Sequence, residues 1–176
     1  MNLSGPALVA GTGLFCSGLA AGLTLSYPAI INKLFQPPSS GPIAQRLAIW
    51  NKGYEAGKAS IPLTAIGAAV SYLVGAYKFP LVGELSQQAA IGAGVLHLGI
   101  IPFTLLFIKP VNDILIAHRE RTESKSSEKG SSTPNSGTEV KINRLLDRWV
   151  FLHNCRVVMT CAAFAVGLGN VLGVFV

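Results

Sequence analysis

The sequence predicts an all-α fold, an integral membrane four-helix bundle in a single domain, 1–176, and three observations carry that expectation. Half of the 176 residues are hydrophobic and only 12% are charged, whereas a soluble domain carries about 25%. Apolar stretches at about 7–31, 59–77, 89–108 and 145–174 each reach or exceed the ~20 residues a helix needs to cross the hydrocarbon core. The basic residues lie between them. Apart from Lys78 and Arg156, every Lys and Arg falls in the first and third connections or their flanks.

That charge placement gives the formal net charge of +6 a meaning. No basic face with interleaved aromatics is present, so no nucleic-acid partner is expected, and the partner is the lipid bilayer. Positive charge marks the cytosolic side of membrane proteins. The expected multi-pass topology therefore has lumenal or extracellular termini and large cytosolic connections. Cys16, Cys155 and Cys161 all fall inside apolar stretches. Without a CxxC or a Cys/His ligand spacing, neither a disulfide framework nor a zinc site is expected.

The first segment, 7–31, is uncharged and too long for the apolar region of a signal peptide, so it reads as a retained span. Its GLFCSGLAAG is rich in small residues that let helices approach closely. Tyr27-Pro28 predicts a kink near its end. QPPSSGP at 36–42 is a loop by its turn chemistry. The mixed helix at 43–58 feeds the second span and carries Trp50, Tyr54 and Lys58 every four residues. Pro62 predicts a bend just inside it. After a polar connection at 78–88, the third span holds His97 and Thr104 and is interrupted by Pro102 and Pro110, with Asn112 beyond. The polar stretch 119–140 has no apolar period and predicts a mobile loop. Gly167 and Gly169 give the fourth span small packing surfaces.

The fourth segment opens with RWVFLHNCRVVMT at 148–160. At ~100° per residue, Trp149, His153, Arg156 and Thr160 return to one helical stripe, the other three within about 40° of Trp149. A cation and an imidazole inside a membrane helix are costly unless they face a protein interior or a wet cavity, which makes them site candidates. The alternative is structural: Arg156 bonding carbonyls or Asp113 across the bundle, with Trp149 as an interface anchor. His97 has the same two readings, and a lone intramembrane His is often bonded to a neighbouring carbonyl. Asp113 has two readings as well, orienting His153 or pairing with Arg148.

Three stretches resemble a small membrane family that includes the fungal anthrone oxygenases of aromatic polyketide pathways. They are IWNKGYEAGKASIP at 49–62, IPFTLLFIKPVNDIL at 101–115 and RWVFLHNCRVVMT at 148–160. The most specific piece is Pro102, Phe103, Thr104, Pro110, Asn112 and Leu115, followed by Trp149, His153, Asn154 and Arg156. Lys109 and Val111 depart from the pattern, which has a more apolar residue and Thr there.

The resemblance implies a monooxygenase of secondary metabolism that turns an anthrone into an anthraquinone with O₂ as co-substrate, with no flavin, haem or metal. Gly11-Thr12-Gly13 opens no βαβ unit and is no dinucleotide fingerprint. An anthrone's conjugate base is an electron-rich enolate that can itself reduce O₂, so the protein supplies a base, an anion partner, a ring clamp and a dry site. The expected catalytic residues are His153 as base, with an ordinary pKa near neutrality, and Arg156 with Lys58 for the enolate and the reduced oxygen. Trp50, Tyr54 and Trp149 would pack on a planar aromatic polyketide, and Thr104, Asn112 and Asn154 would bond its oxygens. Two rivals remain. One is a non-enzymatic scaffold of the membrane. The other is a haem or metal protein using His97 and His153, whose expected depths differ by about 12 Å.

Overall fold

A computed structural model of the chain describes residues 4–36, 41–79, 84–127 and 136–175. Four helical rods make up the bundle. The first runs from α1 (Gly5–Ser26) through a π-helical turn, Tyr27–Ile31, into α2 (Asn32–Phe35). The second is α3 (Ile43–Lys78). The third runs from α4 (Glu84–Phe103) through a π-helical turn, Thr104–Ile108, into α5 (Lys109–Ser127), and the fourth is α6 (Ser136–Val171). Each rod is long and apolar enough to cross a membrane. They stand in a square in which α1 and α4 both touch α3 and α6, and α3 and α6 face each other across the diagonal.

The two ends of the square are built differently. Around Ala20 and Ala21 of α1, the core is made of Ala65, Ala68, Ala69, Ala93 and Ala163. In lipid, helices gain little from burying apolar side chains, so small residues that bring backbones together do the packing. The outer faces carry Phe15, Leu63, Val70, Val95 and Val158 instead, exposed to the bilayer. The other end is a cluster of large side chains: Tyr27, Phe35, Leu47, Trp50, Ile108, Leu115, Ile142, Leu146 and Trp149. There Gly53 and Gly57, one turn apart on α3, make room for the first π-helical turn: a Cβ on Gly57 would overlap the Tyr27 hydroxyl.

Both π-helical turns lie at prolines. Pro28 sits within the first and Pro102 two residues before the second. A proline removes one backbone donor, and the ladder widens by a residue, so Asn32 N–H reaches the Tyr27 carbonyl and Lys109 N–H the Thr104 carbonyl. Pro62 does not interrupt α3, which runs through it as one α-helix.

The helices exceed the apolar stretches, and the stretch 119–140 expected as a mobile loop is mostly helix. α5 continues to Ser127 and α6 starts at Ser136. Arg119 pairs with Glu123 one turn on, at 2.8 Å, and such i,i+4 pairs support polar helices. Residues 128–135 of that loop, and 37–40 of the expected 36–42 loop, lie outside the described residues.

Candidate functional site

Pro28 sets the site up. It has no N–H for the Thr24 carbonyl one turn back, leaving that oxygen with Tyr27 N–H and an unused lone pair. His153 fills it: its Nε2 lies 3.1 Å from the Thr24 oxygen. Its Nδ1 is 2.7 Å from Nη2 of Arg156. A guanidinium can only donate, so Nδ1 accepts and Nε2 carries the proton that goes to the carbonyl. Arg156, His153 and Thr24 therefore form one directed chain of hydrogen bonds from α6 to α1. Below it the Thr24 and Thr160 hydroxyls are 2.7 Å apart. The His153 ring lies 4.3 Å from that of Tyr27 and 5.0 Å from that of Trp149. Tyr27 in turn donates to the Gly53 carbonyl at 2.7 Å.

Beside this chain is a cavity of about 320 Å³ whose lining includes Tyr27, Tyr54, Gly57, Lys58, Ile100, Thr104, Leu105, Ile108, Lys109, Asn112, Trp149 and Arg156. That volume is within the roughly 300–1,000 Å³ of small-molecule sites. Apolar walls surround a few polar groups. Trp149 Nε1 donates to Asn112 Oδ1 at 2.7 Å; an indole N–H is donor only, so the Asn112 amide nitrogen is left to donate elsewhere. The Thr104 hydroxyl and Arg156 Nε are buried with no partner.

Arg156 is the unusual group. It is 8% exposed, and none of the ion pairs among the described residues includes it. Its hydrogen-bond partner, His153, contributes a lone pair and not a charge. A buried cation without a counter-ion is costly, and here it borders an open cavity. An anionic ligand would remove the imbalance.

The four stripe residues are all buried: Trp149, His153, Arg156 and Thr160. Of the candidate residues, the structure brings Tyr54, Lys58, Thr104, Asn112, Trp149 and Arg156 to the cavity. Three stand elsewhere. His153 is fully buried behind Arg156 with both ring nitrogens engaged. Trp50 backs the wall, stacked on Tyr54 at 5.7 Å and edge-on to Trp149 at 6.1 Å. Asn154 is exposed, because one residue step turns it ~100° from His153 and out of the bundle. Asp113 binds Lys109 at 2.7 Å, so neither His153 nor Arg148 holds it. Tyr27, Gly57 and Lys109 line the cavity without having been expected there; only the Tyr27-Pro28 kink hinted at the first.

Among the described residues, no three His, Cys, Asp or Glu side chains converge. His97 bonds Ser17 at 2.8 Å and stacks on Tyr72, while His153 bonds α1 at Thr24, seven residues and ~10 Å farther along.

The sequence profile described as anthrone oxygenase matches residues 50–166, well over half of the chain. The chain belongs to the anthrone oxygenase family. Among curated proteins it is similar to anthrone oxygenase encC of Aspergillus fumigatus, 27% identical over 132 residues, which are 73% of this chain and 68% of that protein. It is also similar to an anthrone oxygenase of Emericella nidulans, 26% identical over 184 residues, covering 90% of this chain and 92% of that one. No solved structure matches it. In this anthrone oxygenase family member the profile covers every cavity residue named above except Tyr27, which α1 supplies.

Proposed function

We propose that this chain is a membrane-embedded monooxygenase of the anthrone oxygenase type. It would oxidise the methylene of an anthrone to a carbonyl with O₂, releasing one water, in aromatic polyketide metabolism and without a cofactor. The observation that carries the reading is Arg156, a buried cation without a counter-ion at the wall of a cavity suited to a flat ring system.

The tricycle lies between Trp149 and the aliphatic wall of Ile100, Leu105 and Ile108, with its carbonyl oxygen against the Arg156 guanidinium. Developing negative charge there is stabilised by a fixed donor in a dry site, the most effective form of electrostatic catalysis. The acidified C–H proton leaves on the opposite ring edge, toward the solvated side of the cavity, where Lys58 and Lys109 line it and hold the half-exposed Glu55 and Asp113 carboxylates. The enolate passes one electron to O₂, and the radical and superoxide combine to a peroxide on the ring carbon. The peroxide takes up one proton as a hydroperoxide; loss of the second proton from that carbon and of hydroxide then leaves the quinone, and the hydroxide takes up a proton as water. Asn112 and Thr104 bond the hydroxyls of the ring.

His153 is a positioning residue in this scheme and not the base, since its free lone pair already holds Arg156. Quinone formation and O₂ uptake by membranes carrying the chain, given an emodin-type anthrone with chelator present, test the reading. Rates at least tenfold above membranes with Arg156→Gln support it. Rates equal to that control, which also reports autoxidation, overturn it.

A further inference from the structure

The burial of the cavity's lining shows where it opens. Its residues from the first and fourth rods, Tyr27, Trp149 and Arg156, are all buried. Its exposed ones, Lys58, Leu105 and Lys109, all stand on the second and third rods. The opening therefore runs between those two rods, and it has two levels. One is polar, at the half-exposed Lys58 and Lys109. The other is apolar and about one helical turn deeper along each rod. There Pro62 of α3, Leu105 of the π-helical turn and Ile101 of α4 line the cavity.

The deeper level faces lipid. No charged side chain lies between Lys58 and Lys78 on α3, or between Glu84 and Lys109 on the third rod. Leu63, next to Pro62, and Leu106, next to Leu105, are 72% and 68% exposed, an outer surface suited to hydrocarbon. Leu105 belongs to both surfaces: it lines the cavity and is 56% exposed. Packing is also thin at this depth. α3 touches both α4 and α5, whereas the π-helical turn between them packs on α6 and hardly meets α3. Such turns recur at functional sites, and this one leaves a seam in the wall of the bundle. A neutral tricyclic anthrone concentrates in hydrocarbon, because moving apolar surface out of water is favourable. An entrance at the lysine level alone would make it leave the bilayer and pass two ammonium groups to reach an apolar site.

We propose that the substrate enters, and the quinone leaves, sideways through this seam between Pro62, Ile101 and Leu105, directly from the bilayer, while the lysine level serves water and protons. The inference rests on the anthrone oxygenase reading. It is tested on the full chain in lipid vesicles by stopped flow, with anthraquinones quenching Trp50 and Trp149 fluorescence. In the wild type, across a series of ring-alkylated anthraquinones, association rate constants referred to the aqueous concentration should rise in step with partition into the bilayer. This arm needs no variant. Pro62→Phe/Ile101→Phe narrows the seam from both rods; it should slow association and dissociation together by roughly tenfold, with Kd within about threefold of wild type. Leu63→Phe/Leu106→Phe puts the same rings one residue away, on the lipid face and off the cavity, and should behave as the wild type does. Association that ignores partition, or a narrowed variant as fast as the wild type, overturns the seam while oxidation of an anthrone above the Arg156→Gln control stands. No oxidation above that control overturns the enzymatic reading and this inference with it.

Discussion

The two buried histidines of the spans are a natural pair. His97 and His153 are both fully buried, and both bond to α1, His97 through Ser17 Oγ and His153 through the Thr24 carbonyl. Each lies against a tyrosine, Tyr72 at 6.3 Å and Tyr27 at 4.3 Å. Each tyrosine in turn sits where a glycine of another helix leaves room, Gly167 for Tyr72 and Gly57 for Tyr27. The difference is what stands beside them. His153 holds an unpaired cation at a cavity, whereas His97 has an unpartnered Nδ1 and an alanine-lined core around it. A buried polar group becomes a site when packing leaves space next to it; where alanines close the space, the same residue type only locks helices together.

The largest test of that contrast is Arg156→Gln. It removes the charge at the cavity and keeps a donor of similar shape. Turnover should fall by roughly 10²–10³-fold, the cost of losing a main oxyanion donor, while the protein extracts and melts as the wild type does. Equal losses of turnover and thermal stability would make Arg156 a structural residue like His97.

Next come the glycines. Gly57→Ala and Gly167→Ala each drive a methyl into a tyrosine hydroxyl, and overpacking of this kind costs about 1–3 kcal/mol. Both variants should melt earlier. Only Gly57→Ala should also lose turnover, by tenfold or more, because Tyr27 lines the cavity and packs on His153. Parallel loss of turnover in Gly167→Ala would mean that the two ends of the bundle are mechanically coupled.

The histidines themselves come third. His153→Ala frees Arg156 and leaves the Thr24 carbonyl with one partner, so turnover should drop about tenfold through misplacement of Arg156. His97→Ala loses the Ser17 bond and core contacts worth about 1–3 kcal/mol, lowering the melting temperature with turnover intact. Measuring kcat and melting for both variants in one detergent decides it; a swap of the two outcomes would reverse the assignment of site and lock.

Much of this was legible in the sequence, for definable reasons. Four apolar runs near span length leave few alternatives to a helical bundle. The stripe Trp149, His153, Arg156, Thr160 follows from helical period alone, and the structure buries all four. Asn154 went astray because its place in a motif outweighed its angle; one residue step put it on the outer face. The extra turns of α5 and α6 were hidden by polar composition: residues 119–127 and 136–140 carry no apolar period, and only Ile142, between the expected loop and the fourth span, buries itself. What no local pattern shows is the partner of His153. Its acceptor lies 129 residues away and is free only because Pro28 lacks an N–H.

That dependence gives the smallest and most discriminating prediction, Pro28→Ala. The new N–H would reach for the Thr24 carbonyl and compete with His153 Nε2, drawing the π-helical turn back toward α-helical register. Removing a proline from a helix interior relieves a real backbone penalty, so the variant should be as stable as the wild type or more so. Turnover should nevertheless fall by about fivefold, the equivalent of a hydrogen bond worth about 1 kcal/mol in holding Arg156. Stability and activity would then move in opposite directions, which simple destabilisation cannot produce. Because Ser17, which bonds His97 of α4, lies about two turns from Thr24 along α1, a spectroscopic probe near Tyr72 should not register the change. Unchanged turnover would show that Arg156 is held by the cavity wall itself, and that the bond from His153 to Thr24 serves only to join α6 to α1.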